Sequence, residues 1–155
     1  MNWEKQFQEI MPMLGHHNWI LIVDMAYPMQ SADGIQTIYT GESLLPVLRD
    51  VLKAIKNEKH TKPIIYSDKE LLFMRDDLCR GVDSFKSGLT QLLYKQNVQN
   101  IPHEEIIVKL EGALKSFNVL VLKTESLIPY TSVFIELDCA YWSDENEKML
   151  RERIS

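Results

Sequence analysis

The sequence predicts an α/β domain in three layers: a largely parallel or mixed sheet with helices on both faces. Two observations carry this. Short apolar runs alternate with longer amphipathic stretches through most of the chain. The 155 residues, 45% hydrophobic and 25% charged, suit one soluble domain with a single core.

The elements follow in order. Trp3, Phe7, Ile10, Met11 and Leu14 fall at helical spacing over 3–14, with Asn2 as N-cap. Pro12 strains the end of that helix and Gly15 stops it. Residues 19–23 form a buried strand, and 25–34 a loop with the turn signal Asp33-Gly34. Residues 35–40 form a short strand. Ser43 can cap a helix running to about Asn57, with Leu44, Leu48, Val51, Leu52 and Ile55 inward. Residues 63–66 form a third strand, and Ser67 or Asp68 begins a helical stretch. Residues 84–94 and 106–114 are helical, 119–122 and 133–137 are strands. The polar stretch 95–100 reads as a surface loop. The whole chain, 1–155, is a single domain whose charged tail from about 140 is a helical extension. It shows no internal repeat, low-complexity segment or linker.

Composition narrows the function. The formal net charge is −5, and no Lys/Arg run reaches three residues, which argues against a nucleic-acid partner. The longest apolar run is far short of the roughly 20 residues of a membrane helix. The N-terminal residues lack the basic and apolar regions of a signal peptide. Cys79 and Cys139 alone make no disulfide framework, so a cytoplasmic protein is expected. Phosphate-loop, dinucleotide, nucleophile-elbow and zinc-protease motifs do not occur. No i,i+4 His pair or CxxC supports zinc binding by His16, His17, Asp24 and His103. Neither a metal nor a cofactor is expected.

Two polar segments can carry chemistry. In the first, Gly15–Pro28, His16 precedes the strand 19–23 and Asp24 follows it. Strand ends are where α/β proteins place functional groups. His16 also reads as a helix-terminal residue, and Asp24 as an N-cap or turn former. His17 alternates with His16, so the two can point apart, and His60 lies in a polar connection expected to face solvent. The second segment, Lys123–Ser132, links two strands and is rich in hydrogen-bonding groups. It can form an ordinary connection or a polar wall for a hydroxylated ligand, for which Tyr130 adds an aromatic face.

Together these segments resemble the RbsD/FucU family of sugar mutarotases, which comprises D-ribose pyranase and L-fucose mutarotase. Leu14-Gly15-His16, the apolar run 19–23, Asp24-Met25 and Pro28 match the family's opening motif without a gap. Lys123-Thr124-Glu125 and Pro129-Tyr130-Thr131-Ser132, followed by the strand 133–137, are similar to its C-terminal signature. His103-Glu104 resembles a His-Glu pair that opens a helix in the ribose-type members. The resemblance covers roughly residues 3–137 in order. It implies a sugar isomerase of RbsD-like fold, with His16 as the catalytic group. It implies that Asp24, His103, Tyr130, Thr131 and Ser132 contact a free monosaccharide. It also implies a homo-oligomer. The chain departs from the family pattern in several places. Asn18 replaces an Asp that would sit beside His16, Ser132 replaces an Asn, and the Gly before Glu125 is missing. The tail from Cys139 runs past the family's usual end.

Histidine suits ring opening, which needs one proton taken from the anomeric hydroxyl and one given to the ring oxygen. Strand geometry adds a constraint. Five residues at about 3.3 Å each put His16 and Asp24 roughly 15–20 Å apart. Either the site is shared between subunits, the reading favoured here, or one of the two residues is structural. Two alternatives to catalysis are a sugar-binding or regulatory protein on the same fold, and a structural protein in which His16 and Asp24 are only cap and turn residues.

Overall fold

A computed structural model describes residues 2–155. The chain runs α1 (Trp3–Ile10), β1 (Trp19–Val23), β2 (Ile35–Tyr39), α2 (Leu44–Asn57), β3 (Thr61–Asp68), α3 (Val82–Leu92), β4 (Val98–Ile101), α4 (His103–Leu114), β5 (Val119–Lys123), β6 (Val133–Cys139) and α5 (Asp144–Ile154). One sheet takes the order β2-β5-β1-β6-β3-β4. β5 is parallel to β1 and β2, and β4 is parallel to β3. β6 alone runs the other way, antiparallel to both β1 and β3.

Alternation along each strand builds the layers. Ile20, Ile22, Leu120, Leu122, Val133 and Ile135 face one core with α1, α2 and α3. Trp19, Leu21, Val23, Val121 and Phe134 face a second core, closed by Ile106 and Leu110 of α4. The mixed sheet therefore has helices on both faces. β1 is buried at every position because both faces are covered. Among the described residues, no helix is long and apolar enough to cross a membrane.

The helix over 3–14 is shorter than its apolar spacing suggests: α1 gives way to a 3-10 turn at Met11–Met13, where Pro12 lacks the N–H an α-turn needs. The cap assigned to Asn2 is present, its side chain accepting from the Lys5 N–H at 2.9 Å. Ser43 precedes α2 without a side-chain cap bond. Ser67 and Asp68 do not begin a helix. They end β3, and a 3-10 segment, Lys69–Phe73, follows. The expected loop at 95–100 holds the start of β4, an edge strand in which only Val98 and Ile101 are partly buried, leaving little apolar signal. His60 is not free in solvent: its Nε2 lies 2.7 Å from the Leu14 carbonyl.

Candidate functional site

The C-terminal edge of the parallel strands gathers the polar residues. Asp24 follows β1, Asp68 ends β3, and His103 follows β4 as the first residue of α4. Because β6 is antiparallel, its beginning reaches the same edge and brings Tyr130, Thr131 and Ser132 with it. Crevices outside the carboxyl ends of strands are where open α/β sheets bind ligands.

The central pair is His103 and Asp68. His103 Nδ1 lies 2.8 Å from Asp68 Oδ1, and Asp68 is only 1% exposed. An ionised carboxylate only accepts, so Nδ1 carries the proton and Nε2 is the ring's remaining acceptor. The backbone N–H of His103 donates to both oxygens of Glu70, at 3.0 and 3.2 Å. That fork replaces a side-chain N-cap at Pro102, which has none, and places a carboxylate at the positive end of α4. The imidazole meets Tyr130 and Phe134 edge-on, each with ring centroids 6.0 Å away.

Burial lifts the Asp68 carboxyl from its ordinary 3.8 to about 6; the His103 contact opposes the rise, and nearby Glu70 and Asp24 add to it. Folded Asp68 thus binds its proton more tightly than the unfolded chain does. Stability falls as pH rises through the window from about 4 to about 6. Asp68→Asn has no proton to lose. Its stability relative to the parent is expected to climb across that window by on the order of 1–3 kcal/mol, then level off. Urea unfolding of both proteins from pH 4 to 7.5 measures this, and a pH-independent difference would refute it.

Asp24 and Ser132 form a second pair. The Ser132 hydroxyl donates to Asp24 Oδ1 at 3.0 Å, and the Asp24 N–H donates to Ser132 Oγ at 3.1 Å. Asp24 also borders an open hollow of about 240 Å³ with Met25, Ala26, Ser126, Leu127 and Pro129. Thr131 is fully buried, and its hydroxyl is engaged by the turn itself, donating to the Ile128 carbonyl at 2.7 Å with Ser126 Oγ at 3.0 Å. It shapes the loop and offers its hydroxyl inward. Tyr130 sits at φ +62°, in the left-handed region. For a bulky residue that conformation costs about 1–2 kcal/mol, and strain of this kind concentrates at functional sites. Here it turns the 41% exposed Tyr130 ring toward His103.

His16 is not part of this cluster. It lies before β1, at the opposite edge of the sheet, beside the far end of β6. Its Nε2 is 3.1 Å from Asp138 Oδ1, and Lys62 Nζ is 3.8 Å from the same carboxyl group. His16 and His17 do not point apart; their rings stack at 3.7 Å. His17, at φ +79°, also packs against Phe117 with centroids 5.0 Å apart. Asn18 accepts from the Gly15 N–H at 2.8 Å and donates to the Asn118 carbonyl at 3.0 Å. An Asp could make only the first of these bonds. The carboxylate beside His16 comes instead from Asp138 on β6.

Asp24, His103, Tyr130 and Ser132 thus converge, while His16 stands apart with Asp138. Sequence reasoning missed Asp68, Glu70 and Asp138. The signal for Asp68 was its place at the end of an apolar run, the same signal that singled out Asp24. No cluster of three or more metal-ligating side chains occurs among the described residues.

Two solved structures share this architecture. Bacillus subtilis RbsD complexed with D-ribose superposes with a TM-score of 0.57 at 22% identity, over 84% of this chain and 89% of that one. FucU from Bifidobacterium longum superposes with a TM-score of 0.55 at 10% identity, over 85% of this chain and 92% of that one. The fold is that of RbsD and FucU. No family model and no curated protein matches the sequence. The mixed α/β sheet is consistent with these neighbours. The α5 helix follows the last strand of that sheet.

Proposed function

We propose that the protein interconverts the anomers or ring forms of a free monosaccharide, in a site completed by two copies of the chain. The observation that carries this reading is the buried Asp68 holding His103 by Nδ1, beside Asp24, Ser132 and Tyr130, on an RbsD-like fold. Ring opening takes one proton from the anomeric hydroxyl and gives one to the ring oxygen. His103 Nε2 accepts the first as the ring C–O bond breaks, and a second histidine supplies the other. His16 is that second group. It stands at the far edge of its own chain, so the neighbouring copy provides it. The aldehyde then rotates, and closure reverses both transfers. Asp24 and Tyr130 hold sugar hydroxyls, the buried Ser132 orients Asp24 through its hydroxyl, and Thr131 fixes the turn that presents them. The carboxylates of Asp24, Asp68 and Glu70 favour a neutral polyol over a phosphorylated sugar. No cofactor or metal takes part in these steps.

The one-chain cluster is open: the His103 side chain is 35% exposed and Tyr130 41%. A sugar site needs enclosure on more sides than that. Saturation-transfer NMR of free monosaccharides, starting with ribose and fucose, tests the reading. Faster anomer or ring-form exchange of at least one sugar is expected. Saturable binding without faster exchange would replace catalysis by sugar binding, and no effect on any sugar would sink both.

A further inference from the structure

The C-terminal helix has no place in the site, and nothing among the described residues buries any of it. No residue of α5 is buried. Met149 is 51% exposed, Leu150 40% and Ile154 66%, and Tyr141 and Trp142 just before it are exposed as well. At 100° per residue, Met149, Leu150 and Ile154 share one face, with Asn146 and Arg153 between them. A helix of 11 residues is below the roughly 12–15 at which an isolated helix becomes even marginal in water. Helices this short owe their stability to packing.

The charges say what the partner is. Asp144, Glu145 and Glu147 occupy the first turn, Arg151 and Arg153 the last. Glu147 and Arg151 flank the apolar face on one side and pair with each other at 2.8 Å. Two such helices laid antiparallel, with the two Met149 side chains at the centre, bring each Glu147 beside Arg151 of the second copy. The same register places Glu145 near Arg153 of the second copy. A parallel pair would set like charges together. An anionic membrane is a poor match, because acidic residues (Asp144, Glu145, Glu147 and Glu152) are no fewer than basic ones (Lys148, Arg151 and Arg153).

We propose that α5 is a self-association element that pairs antiparallel with α5 of a second copy about a two-fold axis. The pair is about 16 Å long. It buries well under the roughly 1,200 Å² of a free-standing interface, so it fastens assemblies that other contacts also hold. The inference stands on α5 alone and is independent of the sugar reading.

Disulfide trapping tests it in the full-length protein, with Cys79 and Cys139 changed to Ser. Met149→Cys is expected to form a covalent dimer on mild oxidation. Asp144→Cys is not, because antiparallel geometry holds those two positions about 15 Å apart. Adding Arg151→Glu and Arg153→Glu to Met149→Cys should reduce trapping about tenfold, as should Glu145→Arg with Glu147→Arg. Mixing the two charge variants should restore it. Circular dichroism should show the rest of the fold unaltered, since α5 contributes nothing to either core. Equal trapping at positions 144 and 149, no trapping at 149, or failure of the mixture to recover would overturn the proposal. So would co-sedimentation of the parent protein with phosphatidylserine vesicles that is lost on Leu150→Glu.

Discussion

Two inactive variants should make an active enzyme when mixed. His16→Ala and His103→Ala are each expected to lower exchange of the substrate sugar by roughly 10²–10⁴-fold, the usual effect of losing a general acid or base. His16→Ala spares the fold, and His103→Ala is expected to cost about 1–3 kcal/mol because the buried Asp68 loses its Nδ1 partner. The His16 side chain is 51% exposed, and the contact of His103 with Glu70 is made by its backbone N–H, which alanine keeps. If each site takes His16 from one copy and His103 from another, equal mixing by co-refolding leaves about a quarter of the sites with both histidines. Activity should return to about that fraction of the parent's. A mixture no more active than its components would place the whole site in one chain and remove His16 from it. A His16→Ala protein with full activity would do the same, leaving the His103 and Asp68 pair alone with the chemistry.

The largest loss of stability is expected at Phe134. It is fully buried as the second residue of β6, registered between Leu21 of β1 and Tyr66 of β3. It is also part of the core that α4 closes. Phe134→Ala should cost about 3–5 kcal/mol through lost burial and the cavity left behind. That is a large part of the 5–15 kcal/mol a domain typically has. The ring also meets His103 edge-on, so activity of the remaining folded protein should fall as well. Leu127→Ala, at an 81% exposed position, should change stability by less than about 0.5 kcal/mol. Denaturant titration of the two variants decides it. A loss below about 1 kcal/mol at Phe134 would mean that α4 settles into the gap and the second core is loosely packed.

How much the sequence reveals depends on how far each residue's neighbours lie along the chain. β1 and β5 are legible because burial on both faces makes their runs continuously apolar, and β6 because it opens on the buried run Val133-Phe134-Ile135. β4 is not, because an edge strand buries only Val98 and Ile101, and those partly. The end of β3 is misread for a related reason: Ser67 and Asp68 are buried polar residues in a strand, and polar residues after an apolar run look like a helix start. The separation of His16 from Asp24 is readable from strand length alone. The meeting of Asp24 with Ser132 is not, since 108 residues separate them and only the resemblance to a sugar-isomerase family suggests it. Asp138 escapes notice because it reaches His16 from the neighbouring strand β6, far along the chain, which no local spacing records.

The reversed strand β6 has an architectural consequence. Its first residues follow Ser132, which grips Asp24, and its penultimate residue, Asp138, stands against His16. β1 joins the same two points from its own two ends. A pair of hydrogen-bonded rods, rather than a loop, therefore sets the spacing between the edge that carries Asp24 and the edge that carries His16. Turns at either edge can change length or composition while that gauge stays constant. A single-residue deletion within β1 or β6 would both shorten the gauge and flip the inward-facing side chains. Sequence variation among proteins built this way should therefore collect in the turns and stop abruptly at the strand ends.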